Sequence, residues 1–313
     1  MLRRKLLFVI AVITCSNALS QNSENVYIFS YFKNNGQDGL HLAYSEDGYH
    51  FTALNRDSSF LKPTAGKDKL MRDPCIIQGL NGQFHMVWTV SWNEKGIGFA
   101  SSYNLVDWSE QKYIPVMEHE DSARNCWAPE ITYDPRTKEY MLYWATTIAG
   151  KYPADSTVER GYNHRMYYVT TKDFKTFSKS KILYDQGFNV IDATIVRDGK
   201  KFVMFLKDET PKPVPQKNIR MARSGQLTSG YSKPSSPITG NYWAEGPTAI
   251  KIKDNWIVYF DKYRDHKYGA ISSPDLKSWN DISDKVTFPP GTRHGTILKI
   301  SREVFHRWLD KYK

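Results

Sequence analysis

Three acidic residues, Asp73, Asp192 and Glu245, are the side chains of this sequence best suited to acid–base chemistry. They are separated by 119 and 53 residues, and each stands near the start of a short run with β-strand character. Carboxylates gathered in a partly buried site repel one another and raise one another's pKa, an arrangement typical of catalytic sites. Two carboxylates that flank a sugar can cleave its glycosidic bond, because one protonates the leaving oxygen while the other activates water or attacks directly.

Each of the three has a simpler explanation when it is taken alone. Asp73 precedes a proline, and Asp-Pro commonly initiates turns. Glu245 precedes Gly246-Pro247 and also fits a surface loop. Asp192 interrupts the apolar run 188–193, where a turn residue is not expected. The catalytic interpretation therefore depends on an architecture that brings all three to one place.

A five-fold repeat predicts such an architecture. Strand ends rich in Ala, Ser and Thr run into a polar turn that closes on an aromatic ring, and successive rings are about 48 to 69 residues apart. The closing aromatics are Phe51, Trp108, Phe177, Tyr231 and Trp279, and the fourth copy is degenerate. Strand runs without intervening helices predict an all-β fold, and the period predicts a five-bladed β-propeller.

The beginnings of the repeats indicate which residues lie at the propeller axis. The positions expected to open the innermost strands are Asp73, Ala128, Asp192, Glu245 and His294. Segment 26–53 carries a repeat end without a beginning, so we expect it to complete the last blade and close the ring. Ser301 is expected to cap a short C-terminal helix that packs against the propeller.

Composition and termini narrow the class of protein further. Hydrophobic residues make up 40% of the chain and aromatic residues 14%, which excludes a disordered protein. The net charge of +10 comes from basic residues scattered among acids, a pattern that does not fit nucleic-acid binding. A basic start and the apolar run 6–13 predict a signal peptide over residues 1–20, cleaved near Ser20, and a periplasmic or secreted protein. A lipid anchor at Cys15 is the weaker alternative, and the run is too short for a stable membrane span.

The remaining chain, 21–313, is expected to be a single catalytic domain that acts as a monomer. Its two cysteines are Cys75 and Cys126. Their spacing does not show whether they are close enough for a disulfide, and two buried free thiols are expected because free cysteine is among the most buried residue types.

The order of several short segments resembles glycoside hydrolase family 43. These are Asp-Pro at 73–74, Trp-Ala-Pro-Glu at 127–130, Ile-Asp at 191–192, Glu-Gly-Pro at 245–247 and His-Gly at 294–295. The resemblance covers nearly the whole mature chain and implies an inverting propeller enzyme for arabinofuranosides, xylosides or some galactosides, with no required cofactor. Related fructan-cleaving propellers share Arg-Asp-Pro, but their nucleophile lies in an earlier Asn-Asp-Pro motif that this chain lacks.

The resemblance also implies roles for the acids. Asp73 would be the general base that deprotonates water, Asp192 the pKa modulator that orients the acid, and Glu245 the general acid. Glu130 lies two residues past Ala128 on the same predicted strand, and it is a weaker pocket candidate.

Residues around the acids complete the predicted site. His294 matches an axial histidine that ligates water or a structural calcium ion, and a plain core histidine is the alternative. Arg293 is a candidate substrate contact or a solvated arginine. Tryptophans near strand ends offer faces for a sugar ring or pack within blades; they are Trp127 first, then Trp92 and Trp243.

We therefore expect an exo-acting inverting glycosidase that removes terminal sugars from oligosaccharide or polysaccharide side chains of plant-type glycans. Inserts at 148–164 and 207–218 are expected to wall the mouth of the axis. An α-L-arabinofuranosidase is the first expectation, and β-D-galactofuranosidase and β-xylosidase stay open. A non-catalytic glycan-binding propeller is the alternative from another class, although a binder has no need of three convergent carboxylates.

Overall fold

The computed structural model describes residues 24–152 and 160–313. The predicted signal peptide and Cys15 lie outside these residues. The described chain forms five antiparallel sheets whose innermost strands contact one another around one axis. The all-β, five-bladed propeller with a short C-terminal helix is therefore confirmed.

The strands follow the blades in chain order. The first three, β1 (Asn25–Phe32), β2 (His41–Ser45) and β3 (Thr52–Ala53), belong to the closing blade. Blade 1 holds β4 (Arg72–Gln78), β5 (Phe84–Thr89), β6 (Ile97–Ser102) and β7 (Lys112–Ile114). Blade 2 holds β8 (Trp127–Asp134), β9 (Glu139–Thr146), β10 (Arg165–Thr171) and β11 (Lys181–Tyr184).

Blade 3 holds β12 (Val190–Asp198), β13 (Lys201–Asp208) and β14 (Asn218–Ser224). Blade 4 holds β15 (Glu245–Ile252), β16 (Asn255–Lys262), β17 (Lys267–Ser273) and β18 (Asn280–Asp281). The last strand, β19 (Arg293–Ser301), is the innermost strand of the closing blade and leads into helix α1 (Arg302–Trp308). Short 3-10 segments lie at Asn55–Asp57, Ser283–Lys285 and Asp310–Tyr312.

The ring is closed by the two ends of the chain, as the sequence predicted. Strand β1 pairs antiparallel with β19, from Asn25 opposite Ser301 to Phe32 opposite Arg293. This pairing satisfies the backbone groups of the innermost strand in the closing blade. It also fixes Arg293, the first residue of β19, at the axis.

The repeated turn of the sequence is a hydrogen-bonded turn that follows the third strand of a blade. In the closing blade, Ser45 Oγ accepts the N–H groups of Asp47 and Gly48, and Asp47 Oδ1 accepts those of Tyr49 and His50. The same pattern is built on Ser102 with Asn104, Thr171 with Asp173, and Ser273 with Asp275. Short polar side chains favour such turns because they replace backbone partners.

The degenerate fourth copy lies in blade 3. There Gln226 stands where the other copies have Asp or Asn, and it accepts the hydroxyl of Ser229. Among the described residues, blade 3 has three strands where the other blades have four. The weak sequence repeat thus coincides with the blade that lacks an outer strand.

Helix α1 and the cysteines agree with the sequence predictions. The hydroxyl of Ser301 accepts the N–H of Val304 at 3.2 Å, and Phe305 and Leu309 are fully buried against the closing blade and blade 1. Cys75 and Cys126 are both buried and free. No helix in the described part of the chain is long and apolar enough to cross a membrane. The monomeric state stays a prediction.

Candidate active site

A β-bulge near the start of every innermost strand shapes the mouth, the end of the ring at which those strands begin. In β4, three steps from Arg72 to Cys75 face two steps from Thr89 to Val87, and the other four innermost strands repeat this slip. Bulges re-aim side chains and are common next to active sites. In blades 1 to 4 a residue of the bulge has positive φ; these are Asp73, Ala128, Asp192 and Gly246.

Glu245 does not occupy the same repeat position as Asp73 and Asp192, which corrects the alignment made from the sequence. It stands one residue earlier and is equivalent to Arg72 in β4. The bulge position itself is Gly246, with φ of 57°. A Cβ atom there would lie 2.3 Å from Cγ of His294. Only glycine fits this position, so the acid of blade 4 precedes it.

Two cations engage both oxygens of Glu245. The Nζ of Lys207 lies 3.0 Å from Oε2 of Glu245 and 2.7 Å from Oε2 of Glu209. The guanidinium of Arg293 lies 3.1 Å from Oε1 of Glu245 and 2.7 Å from Oδ2 of Asp261. Lys207 is nearly fully buried, at 2% exposure of its side chain. Arg293, predicted as a substrate contact or a solvated arginine, is a partner of the candidate acid.

These contacts give the two acidic partners opposite pKa shifts. Burial raises the pKa of Asp192 to about 6. Burial also acts to raise the pKa of Glu245, but Lys207, Arg293 and His294 outweigh it and hold that pKa below its usual value. In the free site, Asp192 therefore holds a proton more readily than Glu245. A general acid must hold a proton before it can donate one. In the free site, however, the proton is bound more readily by Asp192 than by Glu245, the predicted acid.

Asp73 is positioned by a hydrogen bond within blade 1, and Asp192 by one from blade 4. The N–H of Ala128 donates to Oγ1 of Thr89 at 2.8 Å, which leaves the Thr89 hydroxyl to donate to Oδ2 of Asp73 at 2.8 Å. The N–H of Gly246 donates to Oδ2 of Asp192 at 3.1 Å. Asp73 is thus oriented as an acceptor, as a general base requires, and Asp192 is tied to the residue that follows Glu245.

His294 lies between the two aspartates. Its Nδ1 is 3.4 Å from Oδ1 of Asp73 and 4.0 Å from Oδ2 of Asp192. Burial lowers the pKa of His294, but Asp192, Asp73, Glu130 and Glu245 outweigh burial and raise it above its usual value. The role of His294 as a ligand of axial water or of a calcium ion stays a prediction.

No metal-binding group stands out elsewhere in residues 24–152 and 160–313. None of their His, Cys, Asp and Glu side chains form a set of three or more arranged to hold an ion. The structural calcium ion stays an untested expectation.

Glu130 lies on the axis below the mouth. The hydroxyls of Thr194 in blade 3 and Thr296 in the closing blade donate to its two oxygens at 3.0 and 3.1 Å. Burial raises the pKa of Glu130 to about 7. Glu130, the weaker pocket candidate of the sequence, is therefore a buried carboxyl on the axis that interacts with the charge of His294.

Two of the three predicted tryptophans meet at a cavity beside the acids. The rings of Trp92 and Trp127 are perpendicular at 5.4 Å, and both line a cavity of about 420 Å³. Arg160, Tyr162 and His164 from the insert 148–164 and Glu209 from the insert 207–218 also line it. Trp243 does not line this cavity; the guanidinium of Arg264 covers its ring at 4.3 Å. Sugar stacking on these tryptophans stays a prediction.

The sequence reasoning missed three charged residues of the site. Lys207 and Asp261 are the next-to-last residues of the second strands β13 and β16, where the apolar runs of these strands end, and Glu209 follows β13. Second strands run antiparallel to the innermost strands, so their ends return to the mouth. A charged residue that ends an apolar second-strand run was the available signal for Lys207 and Asp261.

Comparisons with known proteins agree with this fold. A family model described as a probable glycosyl hydrolase domain, related to glycoside hydrolase family 43, matches residues 23–305. The chain belongs to this family.

A curated α-L-arabinofuranosidase of Bifidobacterium longum is 22% identical over an alignment of 258 residues that covers 70% of this chain. The chain spans about a quarter of that relative's length, 24%.

Solved structures share the architecture. A thermostable family-43 glycoside hydrolase has a TM-score of 0.56 at 17% identity, over 72% of this chain and 78% of its own. A family-43 β-1,3-galactosidase has a TM-score of 0.55 at 13% identity, over 74% of this chain and 82% of its own. At these identities the likeness shows the fold.

The buried charge of Glu130 predicts a pH-dependent gain of stability in Glu130→Gln. Its pKa of about 7 in the folded protein exceeds the ordinary value, so the unfolded state ionises first and the wild type loses stability as the pH rises from about 4.5 to about 7. Relative to wild type, the variant should gain about 3 kcal/mol of unfolding free energy between pH 4.5 and pH 8. Urea unfolding at both pH values measures this. A difference that is the same at both would contradict it, and Asp198→Asn, an exposed acid in β12, is the control.

Proposed function

We propose that this chain is an inverting exo-glycosidase whose reaction is carried by Asp73, Asp192 and Glu245. The observation that carries the proposal is the convergence of these acids, from three different blades, on one mouth that also holds two cations and an aromatic-lined cavity. The family of the chain and the neighbouring glycoside hydrolases support it. A glycan-binding propeller would have no use for three buried carboxyls whose charges must be neutralised by neighbouring cations.

The proposed reaction is a single displacement. Asp73 takes a proton from a water molecule, and the water oxygen forms a bond to the anomeric carbon from one face. The bond from that carbon to the leaving oxygen breaks on the other face, and Glu245 gives that oxygen its proton. Water supplies both the new hydroxyl and the proton that replaces the one Glu245 has lost.

Asp192 and Glu245 share one proton in this scheme. Below about pH 6 the free site keeps this proton on Asp192, because burial raises the pKa of Asp192 while Lys207 and Arg293 hold the pKa of Glu245 below its usual value. A bound sugar excludes water from the mouth and places its leaving oxygen beside Glu245, which favours transfer of the proton to that carboxyl. Asp192 then acts as the modulator, and the pair titrates together rather than as two independent groups.

The first substrate class we propose is terminal α-L-arabinofuranose on plant-type glycans, supported by the curated arabinofuranosidase relative. β-D-Galactofuranosides and β-xylosides remain the alternative substrates, and the structural neighbours include a β-1,3-galactosidase. Export through the predicted signal peptide is part of the proposal, because polymeric glycans lie outside the cell.

Removal of the base or the acid should abolish most of the activity. With an arabino-oligosaccharide that has a poor leaving group, Asp73→Asn and Glu245→Gln should each lower kcat by about 10² to 10⁴. An activated aryl arabinofuranoside should rescue Glu245→Gln but not Asp73→Asn, because only the acid acts on the leaving group.

Asp134→Asn is the matched control for these variants. Asp134 is a buried carboxyl paired with Arg136 at the end of β8 remote from the mouth, and its variant should keep full activity. If the wild type hydrolyses nothing in a panel of arabinosides, galactofuranosides and xylosides while it still binds glycans, the catalytic proposal fails. Full activity in either site variant would refute the assigned roles.

The pH at which kcat/KM falls on the alkaline side of its pH profile, the alkaline limb, should depend on the positive charge of Lys207. Lys207 lowers the pKa of Glu245, so Lys207→Met should raise that pKa and move the limb about 1 pH unit or more upward. Glu209→Gln removes the competing partner of Lys207 and should move the limb downward. Lys207→Arg keeps the cation and serves as the control. Equal limbs in all four proteins would show that this ion pair does not set the acid.

A further inference from the structure

The cavity beside the acids contains a buried histidine that the proposed reaction does not use. His164 precedes β10, is 1% exposed, and lines the cavity of about 420 Å³ together with Trp92, Trp127 and Glu209. Its ring lies parallel to that of Tyr162, at 5.4 Å and 1°, and 4.7 Å from the ring of Trp127. The imidazole is therefore held in one orientation by aromatic neighbours.

The hydrogen bonds around Asn189 determine which nitrogen of His164 carries the proton. The side-chain amide of Asn189 donates from Nδ2 to the carbonyl of Tyr162 at 3.1 Å, so its Oδ1 faces His164. That Oδ1 accepts the backbone N–H of His164 at 2.9 Å and lies 3.0 Å from its Nδ1. An amide oxygen can only accept, so Nδ1 must be the protonated nitrogen.

The other nitrogen is a buried acceptor without a donor. Nε2 of His164 has no hydrogen-bond partner among the described residues. Burial lowers the pKa of His164 to about 4, so the ring is neutral and Nε2 keeps its lone pair above that pH. A buried polar atom left without a partner costs free energy and calls for an explanation such as a bound ligand. Because His164 lines the cavity, a ligand there can supply the missing donor.

The charges around the cavity indicate what kind of donor fits. Glu209 adds a carboxylate to the lining, and its charge is already matched by Lys207 and Lys217. A cationic ligand would face Arg160 of the lining and those two ammonium groups, and an anionic ligand would face Glu209. A neutral ligand with hydroxyl groups on an apolar ring avoids both repulsions. Its hydroxyls can donate to Nε2 of His164 and to Glu209, and its ring can pack on the tryptophan faces.

The cavity adjoins the reacting acids through one side chain. The ammonium of Lys207 contacts Glu209, in the cavity lining, and Glu245, the candidate acid. We infer that this cavity binds a neutral sugar unit of the substrate, and that His164 is a specificity-determining residue that accepts a hydrogen bond from one sugar hydroxyl at Nε2. The placement of that unit next to the scissile bond rests on the proposed function, whereas the binding itself does not.

The test compares His164→Phe with a matched control. Phenylalanine keeps the aromatic packing and removes the acceptor. His85→Phe is the control, because His85 is also buried and stacked on an aromatic ring, at 4.0 Å from Phe174, and does not line this cavity. L-Arabinose, D-xylose, D-galactose and D-glucuronate are titrated against each protein, and tryptophan fluorescence reports binding because Trp92 and Trp127 line the cavity.

One of the three neutral sugars should bind the wild type, and His164→Phe should weaken it about 10-fold, with no change in His85→Phe. The analogue of that sugar lacking the recognised hydroxyl should bind both wild type and His164→Phe equally weakly. Nitrogen-15 spectra of the wild type should show a neutral His164 ring with the proton on Nδ1 at pH 6.

Unchanged binding in His164→Phe, no binding of any neutral sugar, tighter binding of glucuronate, or a proton on Nε2 would each overturn the inference. Sugar binding that depends on His164 in a protein that hydrolyses no glycoside would refute the proposed function and leave the inference standing. If His164→Phe hydrolyses glycosides and binds sugars as the wild type does, the inference about His164 fails and the proposed function stands.

Discussion

Charge balance at the propeller axis is the constraint on which the rest of this structure depends. The side chains of Asp192, Asp73 and Glu245 are 7%, 11% and 19% exposed, and an unpaired buried charge costs several kcal/mol. The fold meets that cost with cations from neighbouring blades. Lys207 and Arg293 neutralise Glu245, and His294 lies between Asp73 and Asp192. Asp192, with no lysine or arginine paired to it at comparable distance in the described chain, has a pKa of about 6 instead.

The geometry of the blades makes this balance possible. Innermost strands begin at the mouth and second strands end there, so each blade delivers side chains from two strand ends. The first set supplies Asp73, Asp192, Glu245 and His294; the second supplies Lys207 and Asp261. A bulge at each innermost start turns one side chain into the mouth, and the close approach of His294 requires glycine at the bulge of blade 4. The site is thus assembled from positions that the scaffold already makes irregular.

Much of this was predictable from the sequence, and the rest depended on distances between blades. The repeat, the closure by β1, the capped helix α1 and the free cysteines followed from local patterns of hydrophobic and turn-forming residues. The one-residue offset of Glu245 did not, because the bulge interrupts the alternation of side chains at the very start of β15, before a period is established. The tautomer of His164, the ion pair of Glu245 with Lys207 and the hydrogen bond from Gly246 to Asp192 depend on partners 25, 38 and 54 positions away along the chain. Sequence spacing carries no information about such contacts.

The most direct test of the account is a carbon-13 NMR titration of the side-chain carboxyl groups of Asp192 and Glu245, assigned with Asp192→Asn and Glu245→Gln. It reads the position of the shared proton without any substrate. The expected result is that Asp192 titrates near pH 6 while Glu245 titrates below the usual range of a glutamate, because Lys207 and Arg293 contact only the latter carboxyl closely. A Glu245 that keeps its proton to higher pH than Asp192 would contradict it.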